Sequence, residues 1–141
     1  MTTGIASFTR AAEQAQQWVN EIAEDLGWDI HRSCRLLRSV LHALRDWLSE
    51  EEMADLAAQL PTLIRGIFFE GWNPATSPAR ERSKFHFVEQ VQREMGKDVM
   101  DDPDRAMVMV FHLLERHLDE GELAQVRNSL KKGLRQLWPS H

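Results

Sequence analysis

The sequence predicts an all-α protein of six main helices, arranged as two repeated three-helix units. Apolar residues recur every three or four positions along most of the chain, and glycine and proline separate these segments. A pattern from the first half returns 70 residues later. The 141 residues suffice for one compact domain. We therefore expect a single domain over 1–141, with one repeat over about 5–72, a linker over about 71–79 and a second repeat over about 80–138.

Apolar stripes predict the first two helices. The first helix covers residues 5–26 and ends at Gly27, since glycine adopts the left-handed conformation of a helix end at little cost. Its inward stripe consists of Phe8, Ala12, Ala15, Trp18, Val19, Ile22 and Leu26. The second helix runs from about Ile30 to Leu48. Its seam consists of Cys34, Leu37, Leu41, Leu44 and Leu48. Its four arginines are expected to be solvated or salt-bridged rather than to bind phosphate.

The third helix opens with a capping box. The Ser49 hydroxyl can accept from the amide of Glu52, whose carboxylate can reach back to the Ser49 amide. The helix is expected to end around Phe68 or Phe69. Proline lacks an amide hydrogen and crowds the preceding turn, so we expect a kink at Pro61.

Two amphipathic helices flank the second repeat. The fourth helix begins between Ala79 and Lys84 and stops at Gly96. The sixth starts at Asp119 and reaches Trp138, with a leucine and valine stripe.

The fifth helix, about Pro103–Leu118, contains six consecutive apolar residues, AMVMVF. Asp102 is its expected N-cap, and proline suits the first helical position because its missing amide hydrogen is not needed there. A helix that is apolar on all sides is buried on all sides, so this helix is expected to be central.

The internal repeat aligns residues 33–68 with 103–138 without a gap. Ten of these 36 positions are identical, and most other core positions exchange one apolar residue for another. Such units rarely bury their apolar faces alone. The two are therefore expected to pack together about an approximate two-fold axis.

The segment SVLHALRDWLSEEEMADLAAQLPTLIRGIFFEGWNP closely resembles the signature of the bacterial family known as domain of unknown function 2267. The C-terminal LRQLWP resembles the second half of that family, and the resemblance covers nearly the whole chain. Lys131 stands where the second copy often has a proline. The resemblance implies an all-helical, cytosolic bacterial protein. It implies no activity and therefore no catalytic residues.

Composition excludes several classes of function. The net charge of −5 and a pI near 5.7 disfavour general binding to nucleic acid or anionic membrane. A single cysteine excludes an intramolecular disulfide and a cysteine metal cage. No segment has the pattern of a signal peptide or a membrane span, so we expect a cytoplasmic protein.

Side chains capable of chemistry are few. His42 and His112 occupy equivalent positions of the repeat, but a metal would need three or four ligands, so both are interpreted as structural. Cys34 on the apolar seam is interpreted as a buried, inert thiol, and the acidic run Asp98–Asp104 as a solvated capping loop. We therefore predict no enzyme activity, no cofactor, and no catalytic, cofactor-binding or metal-binding residue.

The leading hypothesis is a non-catalytic module that binds an unknown protein partner or itself through helix faces. Its candidate interaction surface is Phe69 and Trp72, two large aromatic residues beside the linker. The alternative is a regulator that binds nucleic acid through the C-terminal helix. Its candidate basic patch consists of Arg127, Lys131, Lys132 and Arg135.

Overall fold

A computed structural model describes residues 4–76, 78–79, 83–130, 134 and 137–138. Within this part of the chain it contains seven α-helices and no β-strand, which confirms the predicted all-α class. The number differs from the predicted six because the predicted third helix is divided into two. The helices are α1 (Ala6–Leu26), α2 (Ile30–Trp47), α3 (Glu50–Gln59), α4 (Thr62–Phe69), α5 (Lys84–Met95), α6 (Pro103–His117) and α7 (Glu120–Ser129). A 3₁₀ turn at Pro74–Thr76 lies in the linker. No helix among the described residues is long and apolar enough to cross a membrane.

Local sequence signals set several helix ends as predicted. The Ser49 hydroxyl accepts from the Glu52 amide at 3.2 Å, and the Glu52 carboxylate accepts from the Ser49 amide at 2.9 Å. Gly27 ends α1 with φ 69° and ψ 33°, the left-handed conformation. The Asp102 carboxylate accepts from the Arg105 amide at the start of α6. These ends are fixed within one helical turn of the residues that encode them.

The predicted kink at Pro61 is a complete break between α3 and α4. Leu60 is extended, with φ −82° and ψ 141°, and its amide donates to the Ala57 carbonyl oxygen. Leu130, the equivalent residue at the end of α7, has φ −78° and ψ 141°. Lys131 follows it where Pro61 follows Leu60. An extended leucine therefore ends α7 as it ends α3, although no proline follows it, so proline alone does not explain such a helix end.

The expected burial of α6 on all sides is wrong, and among the described residues the helix with the most neighbouring helices is α2. It packs against α1, α4, α5 and α6, whereas α6 packs mainly against α1 and α2. His112, in the middle of α6, is exposed, so this helix is not buried on all sides. In α2 the run from Ser39 to Arg45 is buried throughout. The arginines of α2 obscured this because they made one face of the helix look solvated.

The two halves of the chain share one core. The first helix of the first half, α1, packs on α6, and α5 packs on α2. Phe111 of α6 stacks on Trp138 with ring centroids 4.6 Å apart, and Phe87 of α5 lies edge-to-face with Trp47 of α2 at 5.3 Å. The core therefore includes contacts between helices that are far apart in sequence.

Candidate functional site

His42 lies buried on α2 between the end of α4 and α5. Its Nε2 lies 2.7 Å from the carbonyl oxygen of Ile67, and its Nδ1 lies 2.6 Å from a carboxylate oxygen of Glu94. A carbonyl oxygen can only accept, so Nε2 carries a proton and donates it. His42 therefore joins α4 and α5 to α2.

Arg45, one turn further along α2, is buried and caps α4. Its guanidinium donates to the carbonyl oxygens of Phe68 at 3.1 Å and Glu70 at 2.7 Å. Carbonyls at a helix C-terminus lack partners within the helix, so a cation there supplies both hydrogen bonds and favourable charge. Arg45 also donates to Asp46 at 2.8 Å, and Asp46 in turn accepts from Gln90 of α5.

These side chains line a cleft of about 420 Å³ between α2, α5 and the end of α4. Its lining residues are Arg38, His42, Arg45, Asp46, Glu70, Gly71, Gln90 and Glu94. Each arginine lies beside a carboxylate or a helix-terminal carbonyl, so neither is an unpaired cation in the cleft. No group of three or more His, Cys, Asp or Glu side chains within the described residues could hold a metal ion. The arrangement supports a brace between helices.

The equivalent positions of the second repeat use different chemistry. His112 is exposed, and Glu115 occupies the position equivalent to Arg45. The Glu115 carboxylate accepts from the indole nitrogen of Trp138 at 2.9 Å. Each repeat thus attaches its C-terminal segment to its middle helix, through Arg45 in one and Glu115 in the other. The shared histidine does not place two imidazoles in equivalent surroundings.

A second cluster joins α2 to the loop before α6. Asp98 pairs with Arg32 at 2.9 Å and Arg35 at 3.0 Å, and Arg32 also lies 3.8 Å over the ring of Trp28. Partial burial alone would raise the pKa of the Asp98 carboxyl. The hydrogen bonds and charges of Arg35 and Arg32 outweigh it, so this pKa lies below its ordinary value. The acidic loop is therefore salt-bridged at Asp98 rather than solvated throughout.

We expect Asp98→Asn to remove an acid-sensitive part of the stability. A carboxyl whose pKa is lowered on folding stabilises the protein above its unfolded pKa of about 3.9, and that contribution is lost as pH falls through the folded value. The variant should be destabilised by about 1 kcal/mol at pH 7, and the difference from the wild type should shrink below about pH 4. Urea unfolding from pH 7 to pH 3 measures this. Asp55→Asn, at an exposed position on α3, is the control; a constant difference across this range would contradict the ion pair.

A third cluster joins α1 to the end of α6. Glu21 lies 3.0 Å from Arg116 and 2.8 Å from His117, whose ring stacks on Trp18 with centroids 4.9 Å apart. Burial alone would raise the pKa of the Glu21 carboxyl. The hydrogen bonds and charges of His117 and Arg116 outweigh burial, so this pKa lies below its ordinary value. Arg116 also pairs with Asp25 at 3.0 Å. Sequence analysis missed this cluster because its members lie more than 90 positions apart.

The predicted interaction surface of Phe69 and Trp72 is only partly open. Phe69 is 36% exposed, and its ring centroid lies 6.2 Å from that of Trp72. Trp72 is partly buried against the core, and its indole nitrogen is buried without a hydrogen-bond partner among the described residues. The contacts of the Trp72 ring with the core indicate that it contributes to packing. Binding through these two residues stays a prediction.

We expect Trp72→Ala to lower the free energy of unfolding by about 1–3 kcal/mol, because a partly buried indole loses its packing contacts. Phe69→Ala, at a more exposed position, should cost less than about 1 kcal/mol. Urea titration of both variants measures the difference. An unchanged midpoint for Trp72→Ala would indicate that this ring is free to contact a partner.

The candidate basic patch is described in part. Arg127 is buried, pairs with Glu120 and lies over the ring of Trp138. Its charge is therefore not presented to solvent as the patch requires. Lys131, Lys132 and Arg135 lie outside the described residues.

An apolar groove on α1, α2 and α4 was not predicted as a surface. Its lining includes Ala12, Ala15, Val19, Ile30, Cys34, Leu63, Ile64 and Ile67, and its volume is about 320 Å³. Ile30 is 48% exposed and Leu63 45% exposed at its rim. Beyond it along the α1 stripe, Ile5 and Phe8 are exposed, so the predicted burial of Phe8 is wrong. The C-terminal part of the predicted stripe, including Trp18 and Ile22, is buried, whereas its N-terminal part at Phe8 is exposed.

Cys34 lies in this groove rather than deep in the core. Its side chain is partly buried and packs against the core cluster. The expectation of a fully buried thiol is therefore wrong. As the only cysteine of the chain, it provides a single chemical probe of the groove.

The fold and these clusters define an all-α domain whose described polar side chains mostly join helices to one another. Residues 15–137 match the model of a family described as an uncharacterized conserved protein, DUF2267, and the chain belongs to that family. The match covers both halves of the internal repeat and confirms the resemblance found in the sequence. No curated protein matches the chain.

Proposed function

We propose that this protein is a non-catalytic helical module that binds another protein, or a second copy of itself, through an exposed helix face. The observation that carries the proposal is the apolar groove between α1, α2 and α4 with the uncovered stripe beside it. A contiguous apolar patch on a protein surface usually marks a binding site. The groove adds concave shape, which suits an inserted helix or side chain.

The polar clusters support a non-catalytic role. His42 makes hydrogen bonds through both ring nitrogens, and Arg45 is engaged by two carbonyls and a carboxylate. A catalytic base or nucleophile needs a lone pair directed at substrate. In this cleft the lone pairs and protons are used between helices.

We further propose that the chain consists of two repeats packed about an approximate two-fold axis. The repeat makes α1 equivalent to α5 and α2 equivalent to α6, so the contact of α1 with α6 corresponds to that of α5 with α2. In addition, α3 packs on its equivalent α7. The bounds Glu50–Gln59 and Glu120–Ser129 differ by the same 70 residues as the aligned sequences. The groove breaks this symmetry, because Gly133 occupies the position equivalent to Leu63.

Co-purification from the native host tests the interaction function. The bait is the full chain, compared with a Phe8→Ser, Leu63→Ser double variant that changes only exposed positions of this surface. Phe85→Ser is the control, because Phe85 on α5 is 69% exposed and lies outside the groove. We expect a stoichiometric partner with the wild type and the control, and its loss with the double variant. A partner retained by all three proteins would contradict the proposal, as would the lack of any partner for a chain that also stays monomeric at high concentration.

Nucleic-acid binding is the weaker alternative, since Arg127 is buried and paired with Glu120. It requires RNA or DNA affinity that falls steeply with salt and is abolished by Lys131→Glu with Lys132→Glu. Fluorescence anisotropy with a labelled oligonucleotide measures both.

A further inference from the structure

The N-terminal turns of α1 project exposed apolar side chains beside the groove. Every residue from Gly4 to Arg10 is exposed, including Phe8 at 69% and Ile5 at 59%. Phe8 lies one turn before Ala12, so it continues the stripe that forms one wall of the groove. One surface therefore combines projecting large side chains with a receiving groove.

We propose that a second copy of this chain occupies the groove, with the two α1 helices packed antiparallel about a two-fold axis at Ala12. The inference deepens the interaction function proposed above and rests on it. In this register Ile5 of one copy faces Val19 of the other, and Phe8 faces Ala15 and Gln16. Phe8 then lies against the small Ala15 of the other copy, and the axis passes through an alanine that permits close approach.

A two-fold arrangement uses the surface twice. Each copy supplies Ile5 and Phe8 as the inserted group and Ala12 and Ala15 as the receiving wall. An isologous interface requires this self-complementarity, in which one patch contains both partners of every contact. An unrelated helix would fill the groove but would leave Ile5 and Phe8 without a receiving surface.

Charge favours the same occupant. The chain carries a net charge of −5, so two copies repel through most of their surface. The first 20 residues contain only Arg10 and Glu13 as charged residues, and these two charges cancel. Both are one or two positions from Ala12, which places them off the stripe. The contact line is therefore uncharged, as expected of the core of an interface.

The exposed area sets the expected affinity. Ile5, Phe8, Ile30 and Leu63 together offer roughly 400 Å² of apolar surface, given the areas that such side chains bury. A stable interface buries roughly 800 Å² on each partner. The dimer is therefore expected to be reversible, with a Kd on the order of 10–100 µM.

Sedimentation equilibrium of the full chain over about 1–500 µM tests the dimer. We expect a monomer–dimer equilibrium that Phe8→Ser weakens at least about tenfold. Phe85→Ser removes an equally exposed phenylalanine and should change the Kd by less than about twofold. Both positions are exposed in the monomer, so at protein concentrations below the Kd the unfolding midpoints of the two variants should match the wild type.

Cysteine crosslinking tests the register. Ala12→Cys in a Cys34→Ser background should form a disulfide-linked dimer on oxidation, because the two-fold axis brings the two position-12 side chains together. Ala58→Cys in the same background, at an exposed position on α3, should remain monomeric. In the wild type, the reaction of Cys34 with a thiol reagent should slow as protein concentration rises through the Kd.

A chain that stays monomeric to the highest concentration would overturn the inference, as would a dimer that is insensitive to Phe8→Ser or does not crosslink at position 12. If the chain is monomeric but the native-host partner is lost with the Phe8→Ser, Leu63→Ser variant, only the second-copy inference fails. If the chain is monomeric and no partner depends on this surface, the interaction function fails as well.

Discussion

A fragment ending at Pro78 is expected to show no cooperative unfolding transition and to aggregate or behave as a molten globule. It contains α1 to α4 but lacks α5 and α6, against which α2 and α1 pack. Removing them exposes part of the core that α1 and α2 share with α5 and α6. In the whole chain this core includes the fully buried Leu36, Leu37, Leu41 and Leu44. Such an exposed apolar face favours non-specific association over a single packed state. Near-UV circular dichroism, thermal unfolding and dye binding measure this.

The complementary fragment provides the control for this prediction. Residues 79–141 supply the missing helices, so mixing or co-expressing the two fragments should restore near-UV signal and a cooperative transition. A sharp transition for the first fragment alone would show that each repeat folds by itself, and the single-core description would then be wrong.

The features predicted correctly from sequence are those with local causes. Ser49 and Glu52 are three residues apart, and their capping box needs only the backbone between them. Gly27 ends α1 because of its own conformational freedom. Such signals set these helix ends but did not predict that α3 ends at Gln59 and α7 at Ser129.

The polar clusters depend on contacts that a linear pattern does not record. His42 and Glu94 are 52 positions apart, and their pairing is fixed by how α5 lies across α2. Arg45 looked solvated because charged residues are rarely buried unless they are paired. Its partners are backbone carbonyls of Phe68 and Glu70, which any residue type would supply. No side-chain pattern could therefore have located this buried arginine.

The groove was missed for a geometric reason. The stripe through Phe8, Ala12 and Ala15 predicted which side of α1 is apolar, and Ala15 does pack against the core. Whether a stripe is covered depends on the lengths and positions of the neighbouring helices. The corresponding helix α5 has only 12 residues against 21 in α1, so equivalent helices of the two repeats differ in length.

Leu44→Ala and Leu114→Ala are each expected to lower the free energy of unfolding by about 2–5 kcal/mol. The two leucines are equivalent in the repeat and both are completely buried, on α2 and α6. Truncation removes apolar contacts and leaves a cavity, and the cost depends on how far the neighbours can relax. Both helices are held from several sides, so the cavity should collapse little.

Leu63→Ala supplies the matched control, since it makes the same chemical change at a residue that is 45% exposed on the groove rim. Urea unfolding should place its midpoint close to that of the wild type, with a loss below about 1 kcal/mol. The three variants thus separate burial from side-chain identity. An unchanged free energy of unfolding for Leu44→Ala or Leu114→Ala would show that this leucine is not a core residue. A large decrease for Leu63→Ala would mean that the groove rim is covered in solution, as a dimer requires. Repeating the Leu63→Ala titration at protein concentrations below and above the dimer Kd distinguishes the two sources of stability, because only the dimer contribution varies with concentration.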